Sequence, residues 1–191
     1  PSCRYVEEIS SSKSLAMKIR GRNIKLRLYG LRNIPTNIKR ARHFRGHGVH
    51  SPFVYAIVRQ VFMCSKLYEN SATDLYDALM ARGVAKRRAI QLQNLANHCR
   101  YERYAIDCSI DQMVGADMVI ATTDIAPAEL IKMAAKACEI KCTLCIISPA
   151  RDKERDMACR AIVEAHKCTS VDNRGFLLIF NNHLPKQKFR L

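Results

Sequence analysis

The spacing of hydrophobic residues predicts helices in the first half of the chain. Ser51-Pro52 is a helix start, because the serine hydroxyl can cap the first turn and a proline there loses no hydrogen bond. Apolar residues then recur on one face of the helix that follows. Further helices are predicted over 73–82, ended by Gly83, and over 85–99.

After residue 100 the pattern changes to short apolar runs separated by helical segments. Strands are predicted over 104–108, 118–122, 143–147, 170–172, 176–180 and 188–191, with helices over 127–140 and 152–166. The second of these helices has Met157, Ala161, Ile162 and Ala165 among its apolar positions. Strands that alternate with helices predict an α/β fold, with a mostly parallel sheet of about five strands and an antiparallel C-terminal hairpin.

Charge divides the chain into two unlike halves. The 191 residues are 48% hydrophobic and 26% charged, which is typical of a folded domain, and the formal net charge is +15. Residues 1–100 contain 19 Lys and Arg against 5 Asp and Glu, whereas residues 101–191 contain 13 against 12. An excess of positive charge confined to one half is typical of proteins with phosphate-rich partners.

The positive charge is densest between residues 13 and 45, which include eleven basic residues and no acidic one. We predict a flexible basic arm over 1–45, a helical segment over 46–100 and an α/β domain over 101–191. The residues of the arm expected to contact RNA or another polyanion are Arg20, Arg22, Lys25, Arg27, Lys39, Arg40, Arg42 and Arg45. An arm that serves only solubility is the alternative interpretation.

Nine cysteines do not predict a disulfide framework, since the number is odd and several lie in apolar runs, where cysteine behaves as a small hydrophobic residue. A reducing compartment, the cytoplasm, is therefore expected. No apolar run approaches the roughly 20 residues that a membrane-crossing helix needs, so no membrane span is predicted.

No metal site is predicted either. Cys138, Cys142 and Cys145 have the spacing of an iron–sulfur site, but residues three apart in a strand point to opposite faces of the sheet. A zinc site at Cys142 and Cys145 would need a second C-x2-C pair, which the other cysteines do not offer. His43, His47 and His50 are separated by glycines that break a helix, so we expect a structured basic turn there.

Two stretches of the chain resemble a known family. Residues 46–55 read GHGVHSPFVY, and near the end Arg174-Gly175-Phe176 opens an apolar strand that is followed by Pro185-Lys186-Gln187. They resemble the amino-terminal signature and the last hairpin of a family of bacterial class I S-adenosylmethionine-dependent methyltransferases. The resemblance implies that 101–191 is a shortened Rossmann-like domain whose five strands follow the family order one, four, five, seven, six.

The chain departs from the family where the cofactor would bind. The family's first strand ends in an acidic residue and a glycine-rich turn, whereas here Asp107 is followed by no glycine before Gly115. The second and third strands, with the acidic residue that would hold the cofactor ribose, have no counterpart. The residues left to bind S-adenosylmethionine are Asp107, Ser109 and Asp124, and no catalytic residue is predicted.

Three hypotheses follow for the function. The first is a degenerate methyltransferase-like protein, with S-adenosylmethionine as the cofactor if it is active. The alternative is a non-enzymatic protein that binds RNA or another polyanion through the basic arm, and the third is a remnant without selected activity. Loss of two strands also exposes the edge of the first strand, so we expect the amino-terminal helices, a protein partner or a second copy to cover it.

Overall fold

A computed structural model describes residues 31, 34–35, 49–69, 71–181 and 184–191 of the chain. The eight residues of the basic arm that we expect to contact a polyanion lie outside the described residues, as do His43 and His47. The described ranges include all of residues 101–191 except 182 and 183.

Three helical segments form one layer beside the sheet. Helix α1 covers Pro52–Ala56 and continues into a π-helical segment at Ile57–Phe62, α2 covers Asp74–Ala81 and α3 covers Lys86–Cys99. Helix α1 begins where the sequence predicts, because the Ser51 hydroxyl accepts a hydrogen bond from the Val54 N–H at 3.4 Å. These segments lie within the predicted helices.

Six strands form a single sheet. They are β1 (Tyr104–Ile106), β2 (Met118–Ala121), β3 (Thr143–Ile147), β4 (Thr169–Asp172), β5 (Phe176–Phe180) and β6 (Lys188–Arg190), with helices α4 (Pro127–Ile140) and α5 (Lys153–Ala165) between them. Their order in the sheet is β1-β2-β3-β5-β4-β6. Strands β1 to β3 are parallel, β5 is antiparallel to both of its neighbours, and β6 runs parallel to β4.

The predicted fold class is therefore confirmed as a Rossmann-like α/β sheet with an antiparallel hairpin. The first five strands across the sheet, β1-β2-β3-β5-β4, stand in the expected order. Strand β6 is the short last strand of the sequence pattern, and it adds a sixth strand at the far edge.

Helices cover both faces of the sheet, which gives the molecule two cores. Alternate residues of each strand divide between the two cores: Ile120 packs under α1 to α3, and Val119 packs under α4 and α5. On the first face, the ring of Phe62 meets that of Phe176 edge-to-face with centroids 5.5 Å apart. Burial on both faces explains why the central strands read as continuous apolar runs.

The edge of β1 is short. The parallel pairing of β1 with β2 directs both the N–H and the carbonyl of Ala105 towards β2. The backbone groups of the neighbouring Tyr104 and Ile106 therefore point outward. Within the described ranges, no backbone group pairs with these outward groups. An edge of two outward residues offers little to a pairing strand, and coverage of this edge by a partner stays a prediction.

Candidate functional site

The carboxyl edge of the sheet is where ligands bind in open α/β folds. Strands β1, β2 and β3 end at this edge. The same edge contains the turn between β4 and β5 and the amino ends of α3, α4 and α5. The turn lies against the end of β3, because the Ser148 N–H donates to the Gly175 carbonyl at 2.8 Å. The predicted cofactor residues follow strands that end at this edge.

Asp107 ties the end of β1 to the end of β2. Its Oδ1 accepts a hydrogen bond from the Thr122 N–H at 2.7 Å, and its Oδ2 accepts one from the Thr122 hydroxyl at 2.8 Å. Arg82 adds an ion pair, with Nε 3.8 Å from Oδ2. Both carboxylate oxygens are therefore bonded within the chain.

The backbone at Asp107 explains why β1 stops short of the predicted residue 108. Its φ is 51°, a left-handed conformation that Asp adopts more readily than most residues. The chain then turns into a short 3₁₀ segment, Asp111–Met113, and the Ser109 N–H donates to the Gln112 side chain at 3.0 Å. The loop is folded on itself where the family has an open glycine-rich turn.

Asp124 lies apart from these residues. Its N–H donates to the Thr122 hydroxyl at 3.3 Å, and its exposed side chain borders an open cleft of about 700 Å³ lined by residues 123–127 and 151–155. Asp107 and Ser109 do not line this cleft. The structure thus places the three predicted cofactor residues on two sides of Thr122 and does not bring them together.

Arg155, which the sequence pattern did not single out, holds the floor of the cleft. It is 2% exposed, and its guanidinium donates to the carbonyls of Thr122 at 2.7 Å, Ile125 at 2.8 Å and Ile147 at 3.1 Å. Burial lowers the pKa of Arg155, although Cys159 and Asp152 oppose the shift. The carbonyls at the ends of β2 and β3 are thus satisfied by a buried cation, which fixes the distance between these strand ends.

The residues at this edge do not fit S-adenosylmethionine in the way the family would bind it. Both oxygens of Asp107 and the Ser109 N–H have partners in the chain, and side chains stand where glycines would let a cofactor approach the backbone. We therefore derive no methyl-transfer step from this site.

The buried cysteines are poor candidates for chemistry. Burial raises the pKa of the Cys142 and Cys159 thiols to about 12, and it raises that of Cys145 as well. Cys142 and Cys145 pack on opposite faces of the sheet, as their spacing predicts. Within the described ranges, no group of three His, Cys, Asp or Glu side chains could hold a metal ion.

Arginines gather at the carboxyl edge on the side of α1 to α3. Arg88, in the first turn of α3, lies against Gly175 and 5.7 Å from the centre of the Phe176 ring, and its Nη1 donates to Gln91 at 2.9 Å. Burial lowers the pKa of Arg88, and the charges of Arg87 and Arg174 lower it further. We call Arg87, Arg88 and Arg174 the arginine cluster.

The sequence contained one signal for this cluster. Lys86-Arg87-Arg88 stands at the start of α3, where the helix dipole disfavours positive charge, and the first turn contains no acidic residue. From the apolar pattern alone, this basic run is interpreted as part of the solvent-exposed face of the helix.

Comparisons with known proteins give no relative: neither protein-family models, nor curated proteins, nor solved structures match the chain. A membrane-crossing helix is absent from the described part of the chain.

Proposed function

We propose that this protein is a methyltransferase-like Rossmann domain that does not use S-adenosylmethionine and that binds RNA through the phosphate backbone. The observation that carries the proposal is the carboxyl edge of the sheet, where the family's cofactor position is closed by Asp107 and Thr122 and arginines stand alongside. A site built this way favours an anion over a cofactor that needs an acidic residue and open glycines.

The methyltransferase likeness is supported by the strand order. The family resemblance at residues 46–55 and near the C-terminus predicts strand order one, four, five, seven, six, and the first five strands across the sheet follow this order. Fold alone does not fix activity, so we assign the likeness to the scaffold and leave out the chemistry.

The RNA-binding part is supported by the charge. The arm between residues 13 and 45 contains eleven basic residues without an acid, and the whole chain has a net charge of +15. Because single-stranded nucleic acid binds basic segments by releasing counterions, this charge supplies affinity without sequence specificity. The proposal places the protein in the cytoplasm, where thiols such as the buried Cys142 and Cys145 stay reduced.

Calorimetry with S-adenosylmethionine tests the first half of the proposal. We expect no heat of binding to the full chain at micromolar or higher cofactor concentration. Binding with a micromolar dissociation constant would restore the family's cofactor site and overturn the non-catalytic assignment.

Binding of a short single-stranded RNA of mixed sequence tests the second half. Affinity is expected to fall steeply between about 50 and 200 mM salt, and replacing Arg20, Arg22, Lys25 and Arg27 by serine should reduce the slope of log K against log salt by about 3. An RNA analogue with an uncharged backbone serves as the control and should not bind. An affinity that is independent of salt, or unchanged in the arm variant, contradicts a phosphate-binding arm.

A further inference from the structure

The side of α1 and of its π-helical continuation that faces away from the sheet presents an aromatic ring beside a cation. The inward residues of this segment are buried in the first core, whereas Tyr55, Arg59 and Met63 recur every four positions on the opposite side. Tyr55 is 47% exposed and Met63 is 40% exposed. We call Tyr55, Arg59 and Met63 the outer face of α1.

The cation of this face is held along the helix by a weak partner. The Arg59 Nη1 donates to the Met63 sulfur at 3.7 Å, and a thioether is a weak acceptor. Within the described residues, the other N–H groups of Arg59 have no acceptor. The guanidinium is therefore positioned beside Tyr55 with donors available for a ligand.

The segment that bears this face is fixed to its neighbours. The Tyr68 hydroxyl donates to the Gln60 carbonyl at 2.9 Å, and the Gln91 side chain on α3 donates to the Phe62 carbonyl at 2.7 Å. These bonds satisfy carbonyls of the wider π-helical turn, a form of helix that occurs frequently at functional sites. A face that is already ordered loses little conformational entropy when a ligand binds to it.

The positive charge of the basic arm continues into this face without an acid between them. Residues 9–68 contain thirteen Lys and Arg and no Asp or Glu, and the last two of these cations, Arg59 and Lys66, are exposed in the folded part. Helix α1 begins at Pro52, seven positions after Arg45, and seven residues of chain reach at most about 25 Å. A polyanion bound at the end of the arm is therefore brought close to the outer face of α1.

We propose that the outer face of α1 extends the RNA-binding surface into the folded domain, where the Tyr55 ring stacks on an unpaired base and Arg59 contacts a neighbouring phosphate. This inference rests on the proposed RNA-binding function and adds a preference for single-stranded RNA. The charges of the arm bind any phosphate backbone, whereas stacking on a side chain requires a base that is not paired in a duplex. Because every base has a face that can stack, the preference is for unpaired RNA and not for a sequence.

The test compares the full chain on two RNAs, a short single strand of mixed sequence and the same strand annealed to its complement. Tyr55→Ala should bind the single strand roughly tenfold more weakly, which is the contribution of about one stacked base, and should bind the duplex within about twofold of the wild type. Tyr55→Phe keeps the ring and should bind the single strand within about twofold of the wild type. Arg59→Ser should lower the salt slope on the single strand by about 0.7, as expected for one phosphate contact.

Matched control variants lie on the other face of the sheet. Met157→Ala shortens a side chain of α5 that is 59% exposed, and Lys167→Ser removes one exposed charge after the end of α5. Both variants should bind the single strand within about twofold of the wild type, because surface residues outside an interface contribute little to binding. Tyr55→Ala should unfold thermally within about 2 °C of the wild type, since its side chain is half exposed, and this comparison excludes unfolding as the cause of a loss.

The outcomes separate this inference from the proposed function. If the wild-type chain binds neither RNA, the proposed function fails. If the wild type binds, and Tyr55→Ala either keeps its affinity for the single strand or loses equal affinity for both RNAs, the function stands on the arm and the stacking face is refuted. Wild-type dimers in sedimentation that dissociate in Tyr55→Ala would assign the outer face of α1 to a second copy of the chain, which also overturns the inference.

Discussion

Replacing Asp107 tests whether its hydrogen bonds to Thr122 stabilise the fold by joining the ends of β1 and β2. In Asp107→Ala, the buried Thr122 N–H and hydroxyl lose acceptors at 2.7 and 2.8 Å. Two hydrogen bonds to a charged group contribute about 1.5 to 3 kcal/mol each, and they act on one residue, so we take a loss of about 3 kcal/mol for the pair. The ion pair with Arg82 adds little, because its distance is 3.8 Å and the Arg82 side chain is 42% exposed.

Because the backbone at Asp107 is left-handed, a series of substitutions can separate the loss of the hydrogen bonds from the cost of this backbone conformation. Alanine at φ 51° costs about 1 kcal/mol more than aspartate, whereas glycine accepts this conformation freely and asparagine tolerates it. We therefore expect losses of about 4 kcal/mol for Asp107→Ala, about 3 kcal/mol for Asp107→Gly and about 1 to 2 kcal/mol for Asp107→Asn, which keeps one acceptor oxygen.

Urea denaturation and thermal unfolding measure these losses. For a chain of this size, the alanine variant should melt about 10 °C lower than the wild type. Asp111→Ala, an exposed aspartate in the same loop, is the control and should change the free energy of unfolding by less than about 0.5 kcal/mol. An alanine variant as stable as the wild type would refute the view that Asp107 serves as a strand-end clamp.

Three further substitutions or labels probe the scaffold. Gly175→Ala places a methyl group where the end of the Arg88 side chain lies, so that Arg88 must move, and we expect a loss of about 1 kcal/mol in denaturation. Arg155→Met leaves several strand-end carbonyls without a donor and should cost about 3 kcal/mol, measured in the same way. Thiol labelling followed by mass spectrometry should modify the exposed Cys138 quickly and Cys145 only after unfolding, because Cys145 is fully buried and its pKa is raised.

The central strands could be predicted because strands buried on both faces are continuous apolar runs in the sequence, and their order was implied by the family resemblance. The run at 143–147 is apolar after Thr143, and the structure buries all five residues of β3. Strand ends were less predictable. The run at 104–108 continues past Ile106, but the left-handed conformation of Asp107 ends β1 there.

The buried face of α5 follows the apolar residues Ala158, Cys159 and Ile162, but the burial of Arg155 could not be predicted from apolar positions. Met157 is apolar but 59% exposed, whereas Arg155 is 2% exposed, and both lie on the same helix. A pattern of hydrophobic residues assumes that arginine faces water. Here the ends of β2 and β3 leave carbonyls that need donors, and Arg155 satisfies them from an inward position, so tertiary hydrogen bonding accounts for its burial.

The same limit explains why the candidate site differs from the sequence expectation. Asp107, Ser109 and Asp124 follow strands that end at one edge, which is a sound reason to expect them together, but the hydrogen bonds of Thr122 place Asp107 on one side of it and Asp124 on the other. The arginine cluster, in contrast, joins residues more than eighty positions apart through packing of Arg88 on Gly175. A pattern of neighbouring residues in the sequence cannot predict such a long-range contact.

The bonding of Asp107 and the arginine cluster are two aspects of one electrostatic arrangement. A carboxylate with no partners at the end of β1 would repel a phosphate approaching the same edge. In this chain its two oxygens are held by Thr122 and faced by Arg82, so its charge is partly compensated where it stands. The hydrogen bonds of Asp107 therefore also reduce the negative potential at this edge, which is compatible with the proposed binding of a phosphate backbone.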